Sequence, residues 1–390
     1  MKLTLWLLLC GAGAIAESVT IPMVLEGNVP IIELELKTAS GGMRKAKFLV
    51  DSGGGAFIIG SKLMADVGAK ATSPPRVTEM QKVQILEAMP VRAGGMELDL
   101  KDVRVVGLLE SERIIERNSA EGMIPGSLLR KYHMIFDYPG HRMTFAKPGE
   151  VKPRGEKLPA GIGKSNGFPR IEIEIGGEKL GFLLDTGASF TMISRVALEK
   201  WSRVNSTWPS AVGAVGFANM IGNKMEQDAL MLRIPEAQLG TIALGPMAAV
   251  SRPDGTFEKY MSRIMSGPII GSVAGNVWRD YRVEIDYQNG AVYLEKAGSG
   301  GPVLTDVGLV LVAAGGKLTV TGIASNAAAD VKSGVRTGDV LMAVGDVTMS
   351  GQPLAAAADA LQGLNGDKKK LTLERKDEKL TVTVTCAAGV

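Results

Sequence analysis

Two stretches of the chain set an acid in the same surroundings: Phe48-Leu49-Val50-Asp51-Ser52-Gly53-Gly54 and Phe182-Leu183-Leu184-Asp185-Thr186-Gly187-Ala188. In each, an apolar run leads into an aspartate, a small hydroxyl residue and a glycine. The copies lie 134 residues apart, as a duplicated unit would place them. Two carboxylates brought into one site cannot both ionise comfortably, so the pair holds one shared proton. The ionised member can then take a proton from water while the protonated member donates to a carbonyl oxygen. The chemistry such a pair offers is hydrolysis by activated water.

Something rigid must carry these acids. Residues 31–36, 47–50, 171–175 and 180–184 are short, apolar or alternating, and bounded by Gly, Asn or Pro, which predicts short strands joined by tight turns. With 49 glycines and few long helical periods, the first three quarters read as mostly β, with short helices at 61–67 and 195–201 just after each acid. Further landmarks repeat in the same order. Gly122-Met123-Ile124-Pro125-Gly126-Ser127 pairs with Gly267-Pro268-Ile269-Ile270-Gly271-Ser272, and Met134-Ile135-Phe136-Asp137-Tyr138 with Val283-Glu284-Ile285-Asp286-Tyr287. A polar Pro/Gly linker at 147–155 separates the copies, and Gly298-Ser299-Gly300-Gly301-Pro302 separates them from the last segment.

The duplicated acid motif and the landmarks behind it resemble the aspartic proteases of the pepsin and retropepsin kind, over roughly residues 25–296. The resemblance implies a mainly β, bilobal acid-protease-like β-barrel fold, with lobe 1 over 17–150 and lobe 2 over 151–297. It implies Asp51 and Asp185 as the catalytic pair, with Ser52, Gly53, Thr186 and Gly187 supporting the two loops across a pseudo-two-fold axis. The apolar-apolar-Gly segments at 124–126 and 269–271 would stand behind those loops. A substrate flap is expected in a hairpin over 215–232, with Gly216, Phe217 and Ala218 at its start, and a vaguer candidate covers 76–96. Residues 303–390 resemble a PDZ domain, a small β-sandwich or barrel with short helices. There Val307, Gly308, Leu309 and Val310 take the place of the carboxylate-binding loop and first strand, which implies a protein C-terminus or an extended strand as ligand.

The first loop departs from the family pattern in reading Gly53-Gly54-Gly55, in having no tyrosine between Asp51 and Tyr132, and in the Pro125 before Gly126. With Gly54 and Ala188 after the motif glycines, neither loop adds a hydroxyl to stabilise the ionised pair. The expected optimum is therefore mildly acidic to near neutral. Methionines at 80, 89, 96, 220, 225 and 231 read as core filling rather than an adaptable groove.

Lys2, an apolar run to Leu9 and the small residues before Glu17 read as a signal peptide over 1–16, placing the mature chain in a periplasmic or secreted setting. A lipoprotein signal ending at Cys10 is the rival, and the only route by which a membrane becomes a partner. Cleavage after Ala16 leaves Cys386 alone, so no internal disulfide can form. The 44 basic and 41 acidic residues nearly balance, without a basic stripe, which argues against nucleic acid. His133 and His141 lack zinc-site spacing, the Gly298-Ser299-Gly300 segment is a linker rather than a serine-protease loop, and no cofactor is expected. The reading is an exported aspartic endopeptidase acting on peptides or proteins. The alternatives are an inactive peptide-binding scaffold of the same fold and a homodimer in which each lobe pairs with its counterpart in another chain.

Overall fold

The computed structural model describes residues 17–78, 82–109, 118–298, 300 and 303–390. The signal-peptide reading over 1–16, with Cys10, lies outside the described residues, as do Met80 and part of the second linker. No helix among the described residues is long and apolar enough to cross a membrane.

The chain is mainly β, and the duplication seen in the sequence reappears strand by strand. The first ten-stranded sheet runs Arg76–Val77, Lys82–Leu86, Val105–Leu108, Phe57–Ile59, Gly122–Pro125, Met43–Asp51, Val29–Lys37, Val91–Ala93 and Met96–Glu97, with Val24–Glu26 paired to one side. The second repeats that order from Ser210–Val212 to Ile242–Ala243. In both sheets the strand bearing the acid is covered on both faces: Phe48, Leu49 and Val50 are buried, as are Phe182, Leu183 and Leu184. Continuous apolar runs are what such central strands require. Pro169–Ile175, by contrast, alternates inward and outward residues, the period of a strand with one wetter face.

A six-stranded sheet joins the two halves. Its order is Ser18–Pro22, Arg142–Ala146, His133–Asp137, Tyr281–Asp286, Ala291–Lys296 and Glu156–Pro159, three strands from each half, meeting antiparallel with Ile135 opposite Glu284. Glu284 is fully buried at this seam, 2.8 Å from His133 Nε2 and 2.8 Å from the Arg154 backbone N–H. Burial alone would raise its pKa, but these bonds and Arg282 outweigh that and hold it low. One apolar core runs through both halves, from Phe48 and Phe136 to Phe182 and Trp278.

The strand register corrects one landmark. Gly122, Met123, Ile124 and Pro125 run parallel to Phe48, Leu49, Val50 and Asp51, while Gly271, Ser272 and Val273 run parallel to Phe182, Leu183 and Leu184. The counterpart of Ile124-Pro125-Gly126 is therefore Val273-Ala274-Gly275, not the expected Ile269-Ile270-Gly271. Gly271 is instead the equivalent of Gly122. The backbone agrees: Gly126 N–H donates to Gly54 at 3.0 Å, and Gly275 N–H donates to Ala188 at 3.1 Å. Helices follow each acid as expected, at Ser61–Val67 and Arg195–Val204.

Residues 303–390 form a separate sheet of Leu309–Ala314, Lys317–Ile323, Val340–Val344, Lys368–Arg375 and Glu378–Thr385, with helices at Ala329–Gly334 and Leu354–Leu361. Its core is not closed on itself. Leu309, Val310 and Leu311 share one buried cluster with Ala214, Val215, Ala218 and Met220 of the second lobe.

Candidate functional site

The two aspartates come together at the ends of equivalent strands, within one chain. Each carboxylate is first held by its own loop: Gly53 N–H donates to Asp51 Oδ1 at 2.8 Å, and Gly187 N–H donates to Asp185 Oδ1 at 3.1 Å. The loops are then tied to each other by a reciprocal set of bonds. Ser52 N–H donates to Thr186 Oγ1 and Thr186 N–H to Ser52 Oγ, both at 3.0 Å. Ser52 Oγ donates onward to the Leu184 carbonyl at 2.6 Å, and Thr186 Oγ1 to the Val50 carbonyl at 2.8 Å. Both hydroxyls are fully buried. A buried hydroxyl that both donates and accepts is fully satisfied, so the crossing resists separation of the lobes.

Gly53 and Gly187 are needed for space rather than for an unusual φ, since neither has a positive φ. A Cβ on Gly187 would stand 2.5 Å from Asp51 Oδ1. The place where a Cβ on Gly53 would stand is 3.3 Å from Asp51 Oδ1 and 3.5 Å from Asp185 Oδ1. Gly53 therefore lies against both carboxylates, and the Leu183 side chain, 2.9 Å from the same place, leaves no room for a larger residue. Gly54 is also confined, because its Cβ would come within 3.0 Å of Asp51 Oδ2, whereas Gly55 faces open space. The triple glycine is thus partly a steric requirement of the acid it surrounds.

Asp51 as a whole is half-buried, and its carboxyl lies deep among neighbouring atoms. Burial, and then the charge of Asp185, push its pKa up to about 8, against the pull of the Gly53 and Gly54 amides. Beneath the pair lie Tyr138 and Tyr287, equivalent residues of the two halves and both buried. Burial raises both phenols. Asp185 adds to the shift at Tyr138, and Asp51 adds to it at Tyr287. The Asp-Tyr landmark marked these positions in the sequence, but nothing in their spacing tied them to the acids. Among the described residues, no group of three or more His, Cys, Asp or Glu stands together as a metal site would require.

The expected flap residues lie elsewhere than in a hairpin strand. The paired strands are Ser210–Val212 and Leu230–Ile234, and Gly216, Phe217 and Ala218 form a 3-10 turn within the loop 213–229 that joins them. That turn packs on the helix Leu354–Leu361, and a Cβ on Gly216 would stand 3.1 Å from Asp306 Oδ2. A buried pair anchors the loop: Arg252 donates to both oxygens of Glu226 at 3.0 and 3.3 Å, and Glu226 also accepts from Ile221 N–H at 2.7 Å. Neither Glu226 nor Arg252 stood out in the sequence, because nothing local links residues so far apart. In the first lobe, Arg76–Val77 and Lys82–Leu86 do pair as a hairpin, with residues 79–81 of its tip outside the described residues.

The expected carboxylate-binding loop is turned inward. Val307, Leu309 and Val310 are buried. Gly308 N–H donates to Asp306 Oδ1 at 2.7 Å, and Leu309 N–H also donates to that carboxylate. The expectation that these amides await an incoming C-terminus is therefore corrected: the chain's own acid occupies them. Alongside, Asn219 Nδ2 donates to the Leu311 carbonyl at 2.7 Å, on the strand where a peptide was expected to pair.

No family model matches the chain, and no curated protein matches it. Among solved structures, the crystal structure of an aspartic proteinase from Irpex lacteus matches with a TM-score of 0.44 and 12% identity, over 72% of this chain and 97% of that chain.

Proposed function

We propose that the chain is an aspartic-type endopeptidase whose Asp51 and Asp185 activate water against a peptide bond. The observation that carries this is the meeting of the two carboxylates at loops bonded reciprocally through Ser52 and Thr186, with Asp51 Oδ1 and Asp185 Oδ1 at 3.3 and 3.5 Å from one Cβ position on Gly53. One carboxylate removes a proton from the water as its oxygen bonds to the carbonyl carbon. The other carboxyl gives its proton to the carbonyl oxygen. The resulting diol collapses as the C–N bond breaks, and the departing nitrogen takes a proton from the pair. The raised pKa of Asp51 supports a shared proton retained to near-neutral pH. The proposal includes export through the segment 1–16, and a C-terminal domain of the PDZ kind, whose order of strands and helices supports that assignment.

The test is mass-spectrometric profiling of a mixed peptide library from pH 3 to 10 with the mature chain, Asp51→Asn and Asp185→Asn. The expected result is cleavage by the parent, falling by about 10³-fold or more in either variant and declining as pH passes about 8. Cleavage that survives in either variant would overturn the assignment of the pair. A folded parent that binds but cleaves nothing would favour the second reading, a peptide-binding scaffold. The observation favouring that reading is the C-terminal helix Leu354–Leu361, which borders the cavity beside Gly187.

A further inference from the structure

A cavity of about 290 Å³ lies where the second lobe, the seam sheet and the C-terminal domain meet. It begins at the dyad loop. Phe190 stands on that loop one residue beyond Ser189, Asn28 donates to the Ser189 carbonyl at 3.2 Å, and both line the cavity. Phe217 is shared with the smaller cavity beside Gly187, so the two adjoin. The wall from the last domain, Leu304 and Gln362, is fixed in place. Val212 and Ser325 exchange two hydrogen bonds of 2.8 Å, and the apolar core of that domain continues into Val215, Ala218 and Met220.

We propose that this cavity is a subsite for the carboxylate of an aspartate or glutamate side chain in the substrate, at a position removed from the cleaved bond. This rests on the endopeptidase reading of the dyad. The first support is charge. Arg233, Arg279 and Lys296 line the cavity from three separate elements: the strand Leu230–Ile234, the residue after the helix Gly275–Trp278, and the seam strand Ala291–Lys296. Among the described residues one acidic side chain, Asp280, faces them, and even if Val390 adds a terminal carboxylate the cations stay in excess. The second support is that these cations are unspent. Among the described residues none of the three side chains forms an ion pair or a hydrogen bond. Arg233 is half-buried there, and burial, unopposed by any carboxylate, lowers its pKa. A guanidinium drawn out of water without a partner is costly, and an entering carboxylate offers it two parallel acceptors. The volume admits long and short side chains alike, so charge and not size does the selecting.

The full mature chain is compared with Arg233→Gln, Arg279→Gln and Lys296→Gln, and with Arg203→Gln as a control cation that lies on the helix Arg195–Val204 and does not line the cavity. The substrates are neutral peptides blocked at both ends, in which a single glutamate is moved through every position and glutamine at the same position is the reference. Cleavage is read as kcat/KM, and binding of fluorescent copies is read by anisotropy, at about 0.02 M and about 0.5 M salt. At one position removed from the cleaved bond the parent prefers glutamate by about fivefold or more at low salt, and by less at high salt. Each cavity variant reduces that ratio to about half or less, whereas Arg203→Gln keeps it. Melting temperatures of the cavity variants stay within about 2 °C of the parent, because no pair in the folded state is lost. Equal use of glutamate and glutamine at every position, or a preference that all three cavity variants keep, overturns the subsite while the endopeptidase reading stands. If nothing is cleaved, the endopeptidase reading fails and the binding series still decides the cavity. A glutamate preference reduced in the cavity variants supports it, and a flat series overturns it.

Discussion

The two lobes share their strand order yet differ at one connection. In the first lobe, four residues join Val77 to Lys82; in the second, the equivalent strands are joined by residues 213–229. The longer connection carries the 3-10 turn that meets the C-terminal domain and the buried Glu226–Arg252 pair that holds it. Everything that holds an acid, by contrast, is matched: the parallel strand behind it, the amide bond from the motif glycine, the crossing hydroxyl and the backbone bond from Gly126 or Gly275. Symmetry is kept where two carboxylates must face each other, and difference accumulates where one lobe alone carries a third domain.

The largest effect on this contrast comes from Glu226→Ala. It strands Arg252 in the interior, and removing one partner of a buried pair costs about 3–5 kcal/mol. Thermal unfolding should show that loss, whereas Arg142→Ala, which removes the largely exposed partner of Asp137, should cost less than about 1 kcal/mol. Equal losses would mean that the long loop is not anchored as described.

Ser52→Ala and Thr186→Ala test the matched side. Each removes one hydroxyl from the reciprocal crossing and leaves a buried N–H without its acceptor, for about 1–3 kcal/mol. The two losses should agree, and the double variant should lose less than their sum because the groups form one network. Additive effects would show that the crossing does not act as a unit.

The pH dependence follows from the raised pKa of Asp51. Between about pH 4 and 8 the folded protein keeps a proton on Asp51 that the unfolded chain has released. The folded state then binds more protons, so stability falls as pH rises through that window. Asp51→Asn removes this fall. Its melting temperature should exceed that of the parent by about 2–4 °C at pH 7, and the gain should vanish at pH 4. A gain of the same size at both pH values would exclude the titration as its cause.

A small change in stability separates the loops themselves. Ala188→Gly removes a buried methyl for about 1 kcal/mol and leaves Asp185 in place. Gly54→Ala instead sets a Cβ 3.0 Å from Asp51 Oδ2 and from the Met123 side chain, and should lower kcat by about tenfold or more by displacing the acid. Assays of both variants should give the larger rate loss for Gly54→Ala.

Much of the frame was legible in the chain. The helices after each acid and the strands at 171–175 and 180–184 follow local patterns of two or near-four residues, and local patterns are what a sequence displays. The second apolar-apolar-Gly landmark was misplaced because Ile269-Ile270-Gly271 is the more apolar match. Which glycine stands behind Asp185 depends on the register with Phe182–Leu184, a long-range property. Gly216, Phe217 and Ala218 read as a flap because their loop does join two paired strands. Only the neighbouring domain explains why the loop bends into a 3-10 turn against it.

By itself the sequence determined the duplication, the two acids with their hydroxyl and glycine neighbours, and the mainly β character, because each is written in contiguous residues or in their repetition. Tertiary structure alone decided that Gly53 lies against both carboxylates, and that a helix of the last domain closes a pocket beside Gly187. These depend on the approach of segments separated by tens to hundreds of residues, where close packing of the whole chain, and no local preference, sets the distance.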